Sequence, residues 1–183
     1  MVNFCISDEE KRILRELLGK KLLKVRHDPL DKFGREAVYG SVELFFEDQI
    51  ILVGYDYAPF PMFGGDDDRP KFFIKQIEES EAVSALEDTV QVNVLFGKVV
   101  SGIILVEDYA EVEWDDKKDE ARILVSLIFQ FGEDEIGFQG DPTIPLIEII
   151  KGIGVSEKLL KPGFEFDDDP ETRFKAQRFY IGV

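Results

Sequence analysis

The chain has 183 residues, of which 44% are hydrophobic, 16 are phenylalanine and 33% are charged, enough apolar material for one domain with a sizeable core and too much for a disordered chain. Its formal net charge is −16, a field that repels phosphate backbones and so argues against nucleic acid as a partner, while attracting basic proteins. The single cysteine, Cys5, excludes an internal disulfide and a thiolate zinc cluster, which with the absence of a ~18-residue apolar run or a signal-like N-terminus leads us to expect a soluble, cytoplasmic protein with no membrane contact.

The acidity is concentrated. Residues 1–30 carry 7 basic and 5 acidic side chains, residues 31–150 carry 9 and 27, and residues 151–183 carry 6 of each, so the middle of the chain holds a net −18.

In SDEEKRILRELLGK, Ser7 and Glu10 have the spacing of a reciprocal capping box. Ile13, Leu14, Leu17 and Leu18 fall on one helical face and Gly19 can end the helix, which predicts an amphipathic helix over 8–19. LLKVRH reads as a short strand. Val38, Val42, Leu44 and Phe46 share one parity, as in a half-buried strand from Val38 to Phe46. Glu47-Asp48-Gln49 turns the chain into IILVGYDY. The stretch PFPMFGGDDDRPKFF, residues 59–73, then reads as a long loop, because Pro59 and Pro61 remove two backbone donors and Gly64-Gly65 permits a sharp bend. FFIKQIEESEAVSALED is mixed, strand-like over Phe73–Ile77 and helical in composition over Glu81–Glu87.

In VQVNVLF, Val90, Val92, Val94 and Phe96 alternate with polar residues, and Gly97-Lys98 suits a two-residue hairpin turn into VVSGIILV. YAEVEW sets Ala110, Val112 and Trp114 against Glu111 and Glu113, Asp115 to Asp119 is a polar turn, and RILVSLIFQF places Ile123, Val125, Leu127, Phe129 and Phe131 on one face. Gly132 to Asp134 turns again into EIGFQG. Short turns between consecutive strands require antiparallel pairing, so this region reads as a meander. TIPLIEIIKG spaces Leu146, Ile147 and Ile150 as a buried helix does, with Pro145 in the first turn. Asp169-Pro170-Glu171 is a helix start, and FYIGV reads as a closing edge strand. The predicted fold class is α+β in a single domain over residues 1–183: an antiparallel β-meander sheet with the N-terminal amphipathic helix and C-terminal helices covering one face.

Motifs for chemistry are scarce. His27 is the only histidine and its surroundings in sequence support neither a serine nor a cysteine nucleophile; the expectation is a solvated His27 and a packed Cys5. There is no phosphate-cradling glycine loop, since Gly64-Gly65 leads into aspartates. With 38 acidic residues, some carboxylate pair meets any spacing rule by chance, so carboxylate spacing alone assigns nothing. The triplets Asp66–Asp68 and Asp167–Asp169 are consecutive rather than alternating, and neighbours in an extended chain point opposite ways, which suits solvated turns better than a cation loop. No catalytic residue, metal or cofactor is assigned.

Two readings of the 59–73 loop remain. Its aromatics can fold back over one end of the sheet, or Phe60, Met62 and Phe63 can anchor a partner inside a rim of Asp66, Asp67 and Asp68, with Asp115 and Asp116 of the next acidic turn alongside. The functional expectation is a non-catalytic acidic protein-binding domain for a basic protein partner, one form of which is a bacterial immunity-type inhibitor of a basic toxin, by analogy of charge and size. The alternative is a carboxylate-based hydrolase or cation-binding protein using the acidic loops.

Overall fold

A computed structural model describes residues 1–28, 30–32, 35–61, 67–78, 91–114, 117–163 and 173–183, with the backbone alone described at 30–32, 67, 114, 173 and 174. The capping box forms as its spacing demands. The Ser7 side chain accepts from the Glu10 N–H (3.3 Å) and the Glu10 carboxylate accepts from the Ser7 N–H (2.7 Å), which starts helix α1, Asp8–Arg15. Turns carry the chain from there to Gly19 (φ 79), and Leu14 and Leu17 are fully buried while Leu18 faces out. The Glu10 carboxylate has a second task. It also accepts from the backbone N–H of Ile74 (2.9 Å), covering one donor of a sheet edge that would otherwise be open.

That edge belongs to β7 (Asp67–Ile77), the first strand of a five-stranded antiparallel sheet that continues through β6 (Ile50–Phe60), β5 (Ser41–Phe46) and β2 (Lys21–His27) to β8 (Val92–Val99). A second sheet of eight strands runs in the order β13 (Arg173–Gly182), β9 (Gly102–Trp114), β10 (Lys117–Phe131), β11 (Asp134–Gly140), β12 (Leu146–Gly152), β4 (Arg35–Tyr39) and β3 (Leu30–Lys32), with β1 (Val2–Phe4) lying parallel to β10. The main core lies between the sheets, with Val42, Leu44, Ile51, Val53 and Phe72 from the smaller sheet facing Leu105, Leu127, Phe129, Phe138 and Ile147 from the larger. Burial of this order, at roughly 25 cal/mol per Å² of apolar surface, is the dominant favourable term.

The α+β expectation, with one sheet under C-terminal helices, is overturned: the described chain is mostly antiparallel strand in two sheets with a single α-helix. The error has local causes. TIPLIEIIKG holds strand β12, because an isoleucine-rich run buried on both faces satisfies either period. Ile147 and Ile149 point into the inter-sheet core and Ile150 faces the other side. The helix expected to start at Asp169 falls partly on residues outside the described ones, and from Arg173 onward the chain is β13. The single strand expected from Val38 to Phe46 is two strands in different sheets. Gly40 (φ 82) is the corner: its N–H donates to the Pro145 carbonyl (2.8 Å) beside β12, and its carbonyl accepts from Tyr55 (2.7 Å) in β6. Gly97 (φ 69) is likewise a bulge inside β8, where Phe96 and Gly97 oppose Leu23 of β2, and the chain changes sheets afterwards at Val100 and Ser101.

The 59–73 loop is also shorter than expected. Strand β6 extends to Phe60, β7 begins at Asp67, and Pro59 pairs with Asp68 and Tyr57 with Pro70. The prolines are tolerated because β5 pairs with β6 only as far as Gly54. Beyond that point β6 and β7 form a two-stranded ribbon that leaves its own sheet.

The far face of the larger sheet carries Val106 and Ile128, covered by Val155 of a short 3-10 turn (Val155–Lys158) and by partly buried Leu159. Asp108, fully buried on β9, receives Arg178 of β13 in two hydrogen bonds (Nε to Oδ1 2.6 Å, Nη2 to Oδ2 2.7 Å) and the Gly163 N–H (2.9 Å). Arg178 Nη1 also donates to the Leu160 carbonyl, so one ion pair ties β9, β13 and residues 160–163 together. Arg178→Ala is expected to cost about 3–5 kcal/mol in urea unfolding, because it leaves a buried carboxylate uncompensated, whereas Asp108→Leu combined with Arg178→Leu costs much less.

Candidate functional site

Of the residues expected to meet a partner, Phe60, Asp67 and Asp68 are described, and they lie where β6 and β7 end their pairing. Phe60 is 1% exposed and packs edge-on against Phe4 (ring centroids 4.9 Å apart, 79° between planes), in a cluster with Ala110 and Val112 of β9 and Ala121 and Ile123 of β10. The Arg69 guanidinium lies over the Phe60 ring at 5.2 Å. Phe60 thus packs the end of β6 against β1, β9 and β10. Asp67 pairs with Phe60 across the ribbon, and Asp68, next along, is exposed. Met62, Phe63, Asp66, Asp115 and Asp116 lie outside the described residues; Trp114 of β9 pairs with Lys117 of β10. Arg173, the first described residue after 164–172, pairs with Glu113 of β9.

Beside this packing lies a pocket. Strand β10 is long enough to need two neighbours along one edge: β1 pairs with Ala121–Ile123 and β11 with Ser126–Phe131. Where they fail to meet, β10 carries a bulge at Val125, since Leu124 pairs with Glu107 of β9 but Ser126 with Val106. The pocket opens at this gap, roofed by Tyr55 and Pro70 of the ribbon and walled by Leu159 and Leu160. Counted out to its open mouth it spans about 490 Å³, but the interior open to the centre of a water molecule is only about 30 Å³. It takes a group of a few heavy atoms and not a bulky cofactor. Its walls are mainly apolar, and its charged lining is cationic: Arg69, Lys161 and Arg178.

The bulge also answers the parity expected for RILVSLIFQF. Leu127, Phe129 and Phe131 face the inter-sheet core as predicted, but one inserted residue moves Ile123 to the opposite face, into the Phe60 cluster, and sends Leu124 inward in its place. Ser126 and Gln139 sit opposite one another on β10 and β11 at the pocket floor. Gln139 Oε1 accepts from the Leu160 N–H (3.1 Å), whereas Ser126 Oγ is buried without a hydrogen-bond partner. None of these lining residues was singled out from sequence. The available signal was the lone serine inside the apolar run LVSLIF.

The two residues with nucleophilic or acid–base chemistry are occupied structurally. His27 is buried rather than solvated, its Nε2 3.1 Å from Glu36 Oε1 and its Nδ1 3.0 Å from the Asp28 carbonyl oxygen, at the point where β2 hands the chain to β3. Cys5 is buried at the end of β1. Burial, and next the nearby Glu107 carboxylate, push its thiol up to about 12. Glu107 is itself buried and meets the half-exposed Arg122 as an ion pair. Among the described residues, no three His, Cys, Asp or Glu side chains converge as metal ligands would, and no helix is long and apolar enough to cross a membrane. No protein-family model, curated protein or solved structure matches the chain.

A thiol raised in the fold binds its proton more tightly there than in the unfolded chain, so its contribution to stability is complete below the unfolded value near 9.0 and fades as pH rises towards the folded value of about 12. Between those limits the wild type is expected to lose about 1.4 kcal/mol per pH unit relative to Cys5→Ala. Paired urea titrations check this slope. At pH 8 a disulfide reagent such as Ellman's reagent is expected to label Cys5 only on the unfolding timescale.

Proposed function

We propose that the protein is a non-catalytic binding domain whose acidic end receives a basic protein partner. What supports this reading is the acidity of the chain between residues 31 and 150, together with the packing of Phe60 against Val112 and the pairing of Arg173 with Glu113, which bring together described residues near three acidic stretches of the sequence. Ten acidic residues, Asp66–Asp68, Asp115, Asp116, Glu165, Asp167–Asp169 and Glu171, belong to these segments or their first flanking residues. Lys117, Lys118 and Arg173 adjoin them, and Lys118 is engaged with Glu111 (2.8 Å). A surplus of one sign focuses the field and steers a cationic partner, raising the association rate more than it deepens the complex.

Phe60 is buried and so serves packing, which leaves the acidic residues as the groups that would meet the partner. An immunity-type inhibitor of a basic toxin is one concrete form of such a domain, and it rests on charge and size. The test begins with capture of partners from native lysate at about 50 mM and about 500 mM salt, where a phosphate-like or carboxylate-driven contact separates from an apolar one. Kinetics against the captured protein then compare wild type with Asp66→Asn, Asp67→Asn and Asp68→Asn combined. The expected outcome is an association rate slowed about tenfold, a flatter salt dependence and an unchanged Tm. An unchanged association rate removes the acidic end from the interaction.

A further inference from the structure

The pocket at the β10 bulge has a floor of uncharged polar groups. Ser126 and Gln139 pair across β10 and β11, so their side chains share one face of the sheet, and both line the pocket. Ser126 is 0% exposed and its Oγ makes no hydrogen bond. A hydroxyl buried in this way costs free energy unless something supplies the missing partner. Gln139 spends its side-chain oxygen on the Leu160 N–H (3.1 Å), an acceptor role that fixes the orientation of the amide, and its NH2 group makes no hydrogen bond to the described residues. The cations of the lining are engaged or outside: Arg178 is bound to Asp108 and to the Leu160 carbonyl, Arg69 lies over the Phe60 ring, and Lys161 is exposed. The remaining walls are apolar, with Phe4, Pro70, Ile123 and Leu159 under the ring of Tyr55. That roof rests on the floor strand itself, since a Cβ at Gly140 would come within 2.3 Å of Tyr55 Cζ. One hydroxyl and one amide NH2 in an apolar cleft select a neutral ligand with a single acceptor oxygen. A charged head group would give up its hydration for a floor without a counter-charge to spare, which costs more than two neutral hydrogen bonds return.

We propose that this pocket is a binding site for a small neutral carbonyl compound, such as a methyl ketone with a short aliphatic tail, its oxygen accepting from Ser126 Oγ–H and from the Gln139 NH2 group. A carbonyl oxygen carries two lone pairs and no hydrogen, so it takes donors arriving from two strands at once and leaves no donor of its own unpaired. The interior admits only a few heavy atoms, so the carbonyl and its methyl group enter and the tail lies along the ribbon's Pro70 and the Leu159 wall towards the open mouth. The site depends on the bulge: the inserted residue at Val125 sets Ser126, opposite Gln139, at the gap between β1 and β11.

The test uses the full chain and three probes, 2-hexanone, hexanoate and hexylamine, each titrated by amide-resolved NMR at constant pH and ionic strength. The ketone is expected to bind with saturating shifts centred on Ser126, Gln139 and Leu160, and the two charged probes about tenfold more weakly or worse. Hexanoate binding as tightly as the ketone would overturn the selection for a neutral head, and equal binding of hexylamine would overturn the requirement for an acceptor. Absence of any saturating shift up to about 50 mM ketone leaves the floor to water and overturns the proposal outright, because even a low ligand efficiency gives seven heavy atoms a Kd of roughly 30 mM. Ser126→Ala supplies the second arm. It is expected to weaken the ketone about fivefold while leaving the free protein as stable as wild type or more so, because it removes an unpaired buried hydroxyl. If Ser126→Ala leaves the affinity for the ketone unchanged, the hydroxyl takes no part in binding and the assignment fails.

Discussion

Two consecutive acids in the middle of β9, Glu107 and Asp108, are both buried, and much of the larger sheet is arranged around that constraint. Consecutive residues of a strand point to opposite faces, so both can be buried only where the sheet is covered on both sides. One half of β9 faces the inter-sheet core through Ile103 and Leu105, and the other faces the ribbon through Ala110 and Val112, which have the opposite parity. The acids sit where the two coverings overlap. Each carboxylate needs its own cation there, and each has one: Arg122 on β10 for Glu107, Arg178 on β13 for Asp108. The second pair also gathers the chain at 160–163, so the electrostatic requirement of one side chain fixes an edge strand and the wall of a pocket together.

The same change of covered face explains the bulge in β10. A strand whose inner parity served the core along its whole length would leave the ribbon side of the hairpin uncovered. One extra residue at Val125 reverses the parity, turning Ile123 towards Phe4 and Phe60 while Leu127 and Phe129 stay in the core. The break in pairing at the bulge leaves a gap between β1 and β11, and Ser126 and Gln139 line the pocket that opens there.

Charge works at two scales in this molecule. Over the whole chain the net charge is −16, concentrated between residues 31 and 150. Beside the bulge the charged lining of the pocket is Arg69, Lys161 and Arg178, of which Arg178 is paired with Asp108. The two surfaces are joined through Arg69, which lines the pocket and lies over the ring of Phe60. The edges of the sheets are treated in a related way. Glu10 caps a donor of β7, the Gly97 bulge interrupts β8, and β13 carries Arg173, Lys175 and Arg178 along its length.

Local chemistry was legible wherever one residue decides one event. The Ser7–Glu10 capping box, the turn at Glu47–Gln49 and the hairpin after Phe131 at Gly132 could be read directly, because caps and turns depend on neighbours in sequence. The acidic runs could be read too, as charge needs no fold. What the sequence could not decide was which face of each strand would be covered, and by what. TIPLIEIIKG satisfies the helical and the strand period equally, and only the pairing of Ile147 with Val38 and of Ile149 with Phe138 selects the strand. Gly40 and Gly97 announce a positive φ, yet whether that means a hairpin, a corner or a bulge depends on partners far along the chain. The pocket was invisible for the same reason: Ser126, Gln139, Lys161 and Arg178 meet only because β10 changes face and an ion pair draws β13 and residues 160–163 over it, and long-range pairing of that kind leaves no local pattern.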